Sequence, residues 1–341
     1  MENRVHYLDC LRVAATFAIV FLHVGAVKFD FSDVNGFEWQ VLNFYESIVR
    51  WAVPVFVMIS GAIFLGKDIP ASTMFRKYIF KMARIFVFWS ILYCLLQTHS
   101  LKLKDILEGN FHMWFILMII GLYFCVPILR EITRKKFIAG YFLGLAFIFV
   151  FLIPEFIMIS RDFFGNHFRQ TISSMARNVS VMNLSLVSGF SSYFVLGKVL
   201  NEAEITPAQR RIIYLLGVVS LISAAFLNSA VSMKNHRASQ NYFQWISLTT
   251  LFESAAVFVF FKQHSECGGI LKKIVSIFSS LSLGVYLIHI AVLNVFTEHG
   301  ITALSFSPII SVPLISLVVF SASCAISLAL KKIPFIGKYF L

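Results

Sequence analysis

Ten apolar runs, each close to the roughly 20 residues that cross a bilayer core as a helix, constrain this chain more than any other feature. They fall near residues 8–26, 48–66, 84–99, 113–130, 137–158, 183–200, 211–231, 243–262, 274–296 and 308–330. The third is short and the sixth is rich in Ser. Backbone polar groups must be satisfied inside lipid, which leaves helices or a closed barrel. The runs are continuous and lack the period-two alternation of barrel strands. The sequence therefore predicts an all-α polytopic membrane bundle of about ten transmembrane helices, forming one domain over residues 1–341. Composition agrees. Hydrophobic residues make up 58% and charged residues 13%, against about 45–50% and about 25% in soluble domains. Disorder and a secreted disulfide scaffold are excluded on the same grounds.

Charge placement orients the bundle. Ten spans put both termini on one side. That side holds 19 of the Lys and Arg residues, and the opposite loops hold 9. The positive-inside rule then places both termini in the cytoplasm. It also accounts for much of the net charge of +12 without a nucleic acid or an acidic partner. The first run is too long for a cleavable signal peptide and opens with Asp9 and Arg12, so it reads as the first span. Cys10, Cys94, Cys125, Cys267 and Cys324 form no CxxC pair. They read as small apolar residues, not as a disulfide or metal set. The longest loops, about 27–47 and 159–182, hold some twenty residues each. Chemistry must therefore occur in the membrane or at its faces.

Charged groups inside a span cost about 2.5–3.5 kcal/mol on insertion scales and mark candidate sites. Arg12 and His23 lie eleven residues apart in the first span. That spacing is three helical turns plus roughly 20°, so they share a face, about 16 Å apart along the axis. Asp9 stands one turn before Arg12 and is placed to pair with it. His112 and Trp114 open the fourth span, Glu155 ends the fifth, and Glu253 sits in the middle of the eighth. Tyr286 and His289 share a face of the ninth. Each also has an ordinary reading. Arg12 suits a side chain that snorkels to headgroups, Trp114 an interfacial aromatic, and Glu155 a loop residue. His23 suits an interfacial histidine with a satisfied hydrogen bond, Glu253 a structural carboxylate, and Tyr286 and His289 helix packing. Together they suggest a polar site enclosed by helices. No Walker A loop, Gly-x-Ser-x-Gly elbow or HExxH motif occurs, and no helix carries metal-ligand His spacing.

Five segments, in order along nearly the whole chain, resemble the acyltransferase-3 family of integral membrane acyltransferases. They are Arg12 with His23; "VPVFVMISGAIF" at 53–64, with Pro54, Ser60 and Gly61; the basic pair Lys81 and Arg84; "HMWF" at 112–115; and "LGVYLIH" at 283–289. The family usually has Arg where Lys81 stands, and Lys loses the bidentate fork that suits phosphate. The nearest likeness is the enterobacterial common antigen O-acetyltransferase subgroup, which shares the bare ten-helix layout.

The resemblance implies transfer of an acyl group, usually acetyl from acetyl-CoA, to a sugar hydroxyl of a lipid-linked or cell-surface polysaccharide. It implies a multi-pass protein of the bacterial cytoplasmic membrane, and the histidine spacing leads us to expect no metal. His23 would serve as general base or acyl acceptor, with Arg12 beside it and Glu253 orienting an imidazole. Lys81, Arg84 and Arg12 would bind the acyl-CoA. His112, Trp114, Glu155, Tyr286, His289 and Ser60 would line the substrate site. Buried Arg, His and Glu also fit a membrane transporter or exporter of a polysaccharide, or a structural subunit of a synthase complex.

Overall fold

The computed structural model describes residues 5–97, 101–181, 185–265 and 268–341. Among the described residues there is no strand. The helices are α1 (His6–Phe29), α2 (Phe37–Val49), α3 (Ala52–Phe64), the single turn α4 (Ala71–Thr73), α5 (Phe80–Gln97) and α6 (Leu103–Glu108). Then follow α7 (Trp114–Arg134), α8 (Lys136–Ala146), α9 (Ile153–Phe163), α10 (Asn166–Val181), α11 (Ser185–Glu202) and α12 (Pro207–Asn235). The last are α13 (Leu248–His264), α14 (Gly269–Glu298), α15 (Pro308–Lys332) and the short α16 (Pro334–Tyr339). Among the described residues, nine helical stretches are long and apolar enough to span a membrane, several of them joined from two helices. The sixth expected run forms α11, a helix of 18 residues that is not among those nine. Tyr193, Phe194 and Val195 at its centre are fully buried, so it packs as an inner helix.

Proline explains where one of the joined spans bends. α2 ends at Val49 and α3 begins at Ala52. Pro54 has no N–H for the Arg50 carbonyl four residues back, and its ring crowds that carbonyl. The hydrogen-bond ladder is interrupted at 50–51, although both residues keep helical φ and ψ. Backbone hydrogen bonding resumes with Val55 N to Trp51 O at 3.0 Å.

Small residues set the closest crossings. A Cβ on Gly61 would lie 1.8 Å from the Phe194 carbonyl oxygen, and one on Gly197 would lie 2.0 Å from that of Met58. α3 and α11 therefore meet backbone to backbone, the contact that substitutes in lipid for a hydrophobic driving force. Gly284 plays the same part between α14 and α15, where a Cβ would fall 2.0 Å from Ser327 Oγ. Gly61 and Gly284 both belong to the segments singled out in the sequence, and packing alone accounts for them.

α1 is the hub. It packs against α2, α3, α13, α14 and α15. Leu11, Ala15, Val20 and Val24 are almost completely buried. The face that carries Arg12 and His23 is thereby enclosed by helices and withdrawn from lipid. Cys125 and Cys324 are free thiols, Cys10 Sγ lies 3.5 Å from His6 Nε2, and Cys267 lies outside the described residues.

Candidate active site

A cavity of about 200 Å³ runs beside α1. Arg12, Met82, Ser282 and Leu283 line one end. His23, Phe111, His112, Trp114, Trp245 and Tyr286 line the other, and Ile19, Leu22, Val53, Phe56, Phe115 and Ile116 line the walls. The two residues that share a face of the first helix thus stand at opposite ends of one passage.

The His23 end is a cluster of three imidazoles. His23 and His289 have ring centroids 5.0 Å apart, and His112 and His289 5.5 Å apart. Their protonation can be read from their partners, because a carbonyl oxygen only accepts. His289 Nδ1 lies 2.7 Å from the Tyr286 carbonyl and 3.1 Å from that of Val285, so it carries the proton. His289 Nε2 is then an acceptor. It lies 3.1 Å from His23 Nδ1, which is also 2.9 Å from the Ile19 carbonyl. His23 Nδ1–H is shared between these two acceptors. In neutral His23 this leaves Nε2 with a free lone pair on a ring that lines the cavity.

His112 is held in the same tautomer by a relay of amides. Asn110 Nδ2 donates to Gln97 Oε1 at 2.8 Å, and Asn110 Oδ1 faces His112 Nδ1 at 2.8 Å. His112 Nε2 is buried without a hydrogen-bond partner. The 3₁₀ turn Phe111–Met113 that opens the span sets this ring against the cavity. Tyr286 donates its hydroxyl proton to the His112 carbonyl at 2.5 Å and Tyr93 donates to the Leu287 carbonyl at 2.7 Å, stitching α14 to this 3₁₀ turn and to α5.

The Arg12 end is built from paired charges. Arg12 Nη1 donates to Asp9 Oδ1 at 3.1 Å and to Ser279 Oγ at 2.9 Å. Ser279 Oγ donates to Asp9 Oδ1 at 2.5 Å. Lys81 and Arg84 stand on α5, whose Met82 lines the cavity. Lys81 Nζ donates to the Leu341 carbonyl and Arg84 Nε to the Tyr339 carbonyl, each at 3.1 Å.

Three expected site residues lie elsewhere. Glu253 is buried, but neither His23 nitrogen bonds to it. It lines a separate apolar groove of about 630 Å³ beside α12, and the charge that acts on it is that of Arg50. Glu155 accepts a hydrogen bond at 3.2 Å from the backbone N–H of Leu248, the first residue of α13, where a carboxylate suits the helix dipole. Ser60 donates to the Phe56 carbonyl at 3.0 Å and does not line the cavity. Helix rotation decides all three placements, and residue spacing cannot supply it.

Other residues of the site escape a reading of the sequence. Arg50 counts there as an external-loop cation, yet it is buried and hydrogen-bonded to buried Glu46. Its guanidinium lies 4.8 Å from the Phe243 ring and 5.2 Å from that of Trp245. Trp245 in turn faces Trp114 across 6.3 Å. The Glu46–Arg50 spacing of four residues was the available signal. Among the described residues, no three His, Cys, Asp or Glu side chains converge as metal ligands; the three imidazoles contact one another as rings.

The model of the acyltransferase-3 family, described as an acyltransferase domain, matches residues 5–331. No curated protein and no solved structure matches the chain.

Proposed function

The chain belongs to the acyltransferase-3 family and is a membrane acyltransferase, and from that premise we propose that it moves an acetyl group from acetyl-CoA to a sugar hydroxyl. The acceptor in this reading is a lipid-linked or cell-surface polysaccharide of a bacterium, with the enterobacterial common antigen as the first candidate. The protein works in the cytoplasmic membrane with both termini in the cytoplasm. The observation that carries the reading is the state of His23: its Nδ1–H is shared between Ile19 and His289, and its Nε2 lone pair is free on a ring that lines the cavity.

The donor enters at the Arg12 end. Lys81 and Arg84 bind its phosphates, and the pantetheine arm follows the apolar wall toward His23. The arm is about as long as the roughly 16 Å helical rise from Arg12 to His23. His23 Nε2 takes the proton of the acceptor hydroxyl as the oxygen attacks the thioester carbonyl. When the tetrahedral intermediate collapses, the C–S bond breaks, and the thiolate of CoA leaves with the proton that Nε2 received. The imidazolium formed between these events keeps its Nδ1–H on two acceptors, the Ile19 carbonyl and His289 Nε2. A neutral imidazole therefore does the orienting that Glu253 was expected to do.

Tyr286 and Ser60 spend their hydroxyl protons on backbone carbonyls, so they serve as scaffold and not as oxyanion donors. Trp114, Trp245 and Phe111 give the His23 end broad ring faces that suit the apolar face of a sugar ring. His112 Nε2 accepts from a second hydroxyl of the acceptor.

The test uses purified protein with radiolabelled acetyl-CoA, alongside mass spectrometry of surface glycans from cells with the intact gene, a deletion and His23→Ala. A +42 Da sugar present only with the intact protein is expected. An unchanged glycan profile with stable protein in all three strains would refute the sugar acceptor and favour a transport role.

A further inference from the structure

The basic pair that flanks the cavity-lining Met82 is already occupied by the chain itself. Lys81, Arg84 and Trp89 present their N–H groups toward one place. The occupants are three consecutive backbone carbonyls: Leu341 on Lys81, Tyr339 on Arg84 and Phe340 on Trp89 Nε1, each at 3.1 Å. Phe340 stacks on Phe88 with ring centroids 4.1 Å apart. The Arg84 guanidinium lies 4.9 Å from the Tyr339 ring. Leu341 packs into the apolar cluster that holds Met82, Leu283 and Tyr286, three residues that also line the cavity. The segment thus sits where a ligand held by the basic pair would pass into the cavity.

The electrostatics of this place call for an anion. Lys81 lies within charge range of both Arg84 and Lys331, and all three are cations. Among the described residues, no acidic side chain forms an ion pair with Lys81 or Arg84. The Tyr339 and Phe340 carbonyls satisfy the N–H donors of Arg84 and Trp89 but supply no charge. A diphosphate supplies both, through charge-assisted bonds roughly twice as strong as neutral ones. The match to the family domain ends at residue 331, so the segment that fills the cradle lies outside the shared unit.

We propose that residues 334–341 are a strap that occupies the polyphosphate subsite of the acyl donor and is displaced when the donor binds. This rests on the reading of Lys81 and Arg84 as the donor's phosphate site. The strap holds the cradle in shape with backbone oxygens and covers the approach to the Arg12 end of the cavity between turnovers. Its cost is a weaker apparent donor affinity, reduced by the fraction of molecules whose cradle is open.

The experiment measures equilibrium binding of CoA to the full-length protein in lipid nanodiscs, with Phe340→Ala, a truncation after Lys332, and Arg84→Ala made within that truncation. If the strap is docked in about nine molecules of ten, both strap variants bind CoA about tenfold more tightly. Hydrogen exchange over 334–341 in the intact protein then rises when CoA is added. Unchanged or weaker CoA binding in both strap variants overturns the strap while leaving the phosphate site standing, provided Arg84→Ala still weakens binding in the truncated background. If Arg84→Ala leaves CoA binding unchanged there, the phosphate site itself fails, and the strap fails with it.

Discussion

The two ends of the cavity obey opposite rules. At the Arg12 end the donors are filled: Arg12, Asp9 and Ser279 bond one another, and Lys81 and Arg84 donate to backbone oxygens. At the His23 end the groups are neutral, and His23 and His112 keep bare Nε2 lone pairs on the cavity lining. A buried charge must be paired because isolation costs several kcal/mol. A buried imidazole is left with one unpaired nitrogen at a cost of about 1–3 kcal/mol, and such a cost marks the place where a ligand is meant to complete the bonding. The charged end holds and the neutral end reacts.

The comparison breaks first at His23. His23→Ala removes the imidazole that α1 presents to the cavity, and transfer by purified protein should fall by about 10²–10⁴-fold with the protein still present in membranes. Activity within tenfold of wild type would move the chemistry away from this end altogether. His289 comes next. His289→Leu deletes the nitrogen that accepts His23 Nδ1–H, and kcat should fall roughly 10–100-fold, as for other orienting partners, with the donor KM unchanged. His289→Gln keeps an amide oxygen in reach and should recover part of the loss. Equal loss in both variants would reduce His289 to packing.

How much of this was visible in the sequence differs by residue. The helices were visible because apolar length is a local property. Arg12 and His23 were visible as a pair because one helix carries both, and Tyr286 and His289 for the same reason. The contact of His23 with His289 was not, since 266 residues separate them and only the packing of α1 on α14 joins them. Arg50 was hidden for another reason. Hydropathy adds residues one at a time, so the Glu46–Arg50 pair reads as two charges in a loop when it behaves as one neutral unit inside a span. The same blindness shortened the second span, which starts at Phe37 and not near residue 48. Glu253 was placed at a sensible depth but on a face of α13 that looks toward α12 and Arg50.

The charged end should respond through binding, not through chemistry. Arg84→Ala in the intact chain removes one of the two cations that neutralise the donor phosphates. The donor KM should rise about tenfold, since a charge-assisted hydrogen bond contributes about 1.5–3 kcal/mol, and release of the strap gives part of that back. kcat should move little, because Arg84 lies at the opposite end of the passage from His23. Initial rates over a range of acetyl-CoA concentrations separate the two constants. A fall in kcat with an unchanged KM would mean that the two ends do not divide holding from reacting.

The smallest effect is expected at Glu253, and it is the sharpest check on how the neutral end works. A carboxylate that oriented His23 would have to meet Nδ1, and that position is taken by His289 Nε2 and the Ile19 carbonyl. Glu253 instead faces Arg50, which already has Glu46 as its partner, and one of its own oxygens is buried without a hydrogen bond. Glu253→Gln keeps the shape and removes the ability to carry a charge. It should therefore change kcat/KM by no more than about threefold, a free-energy difference of under 1 kcal/mol. Stability should change little as well, because a neutral amide at that depth is cheaper to bury than a carboxylate and Arg50 keeps Glu46. A hundredfold loss of kcat with normal expression would show that a negative charge reaches the imidazoles after all. The imidazolium of His23 would then be stabilised by Glu253 through Arg50 and the Trp245 wall, and the neutral character assigned to that end would be wrong.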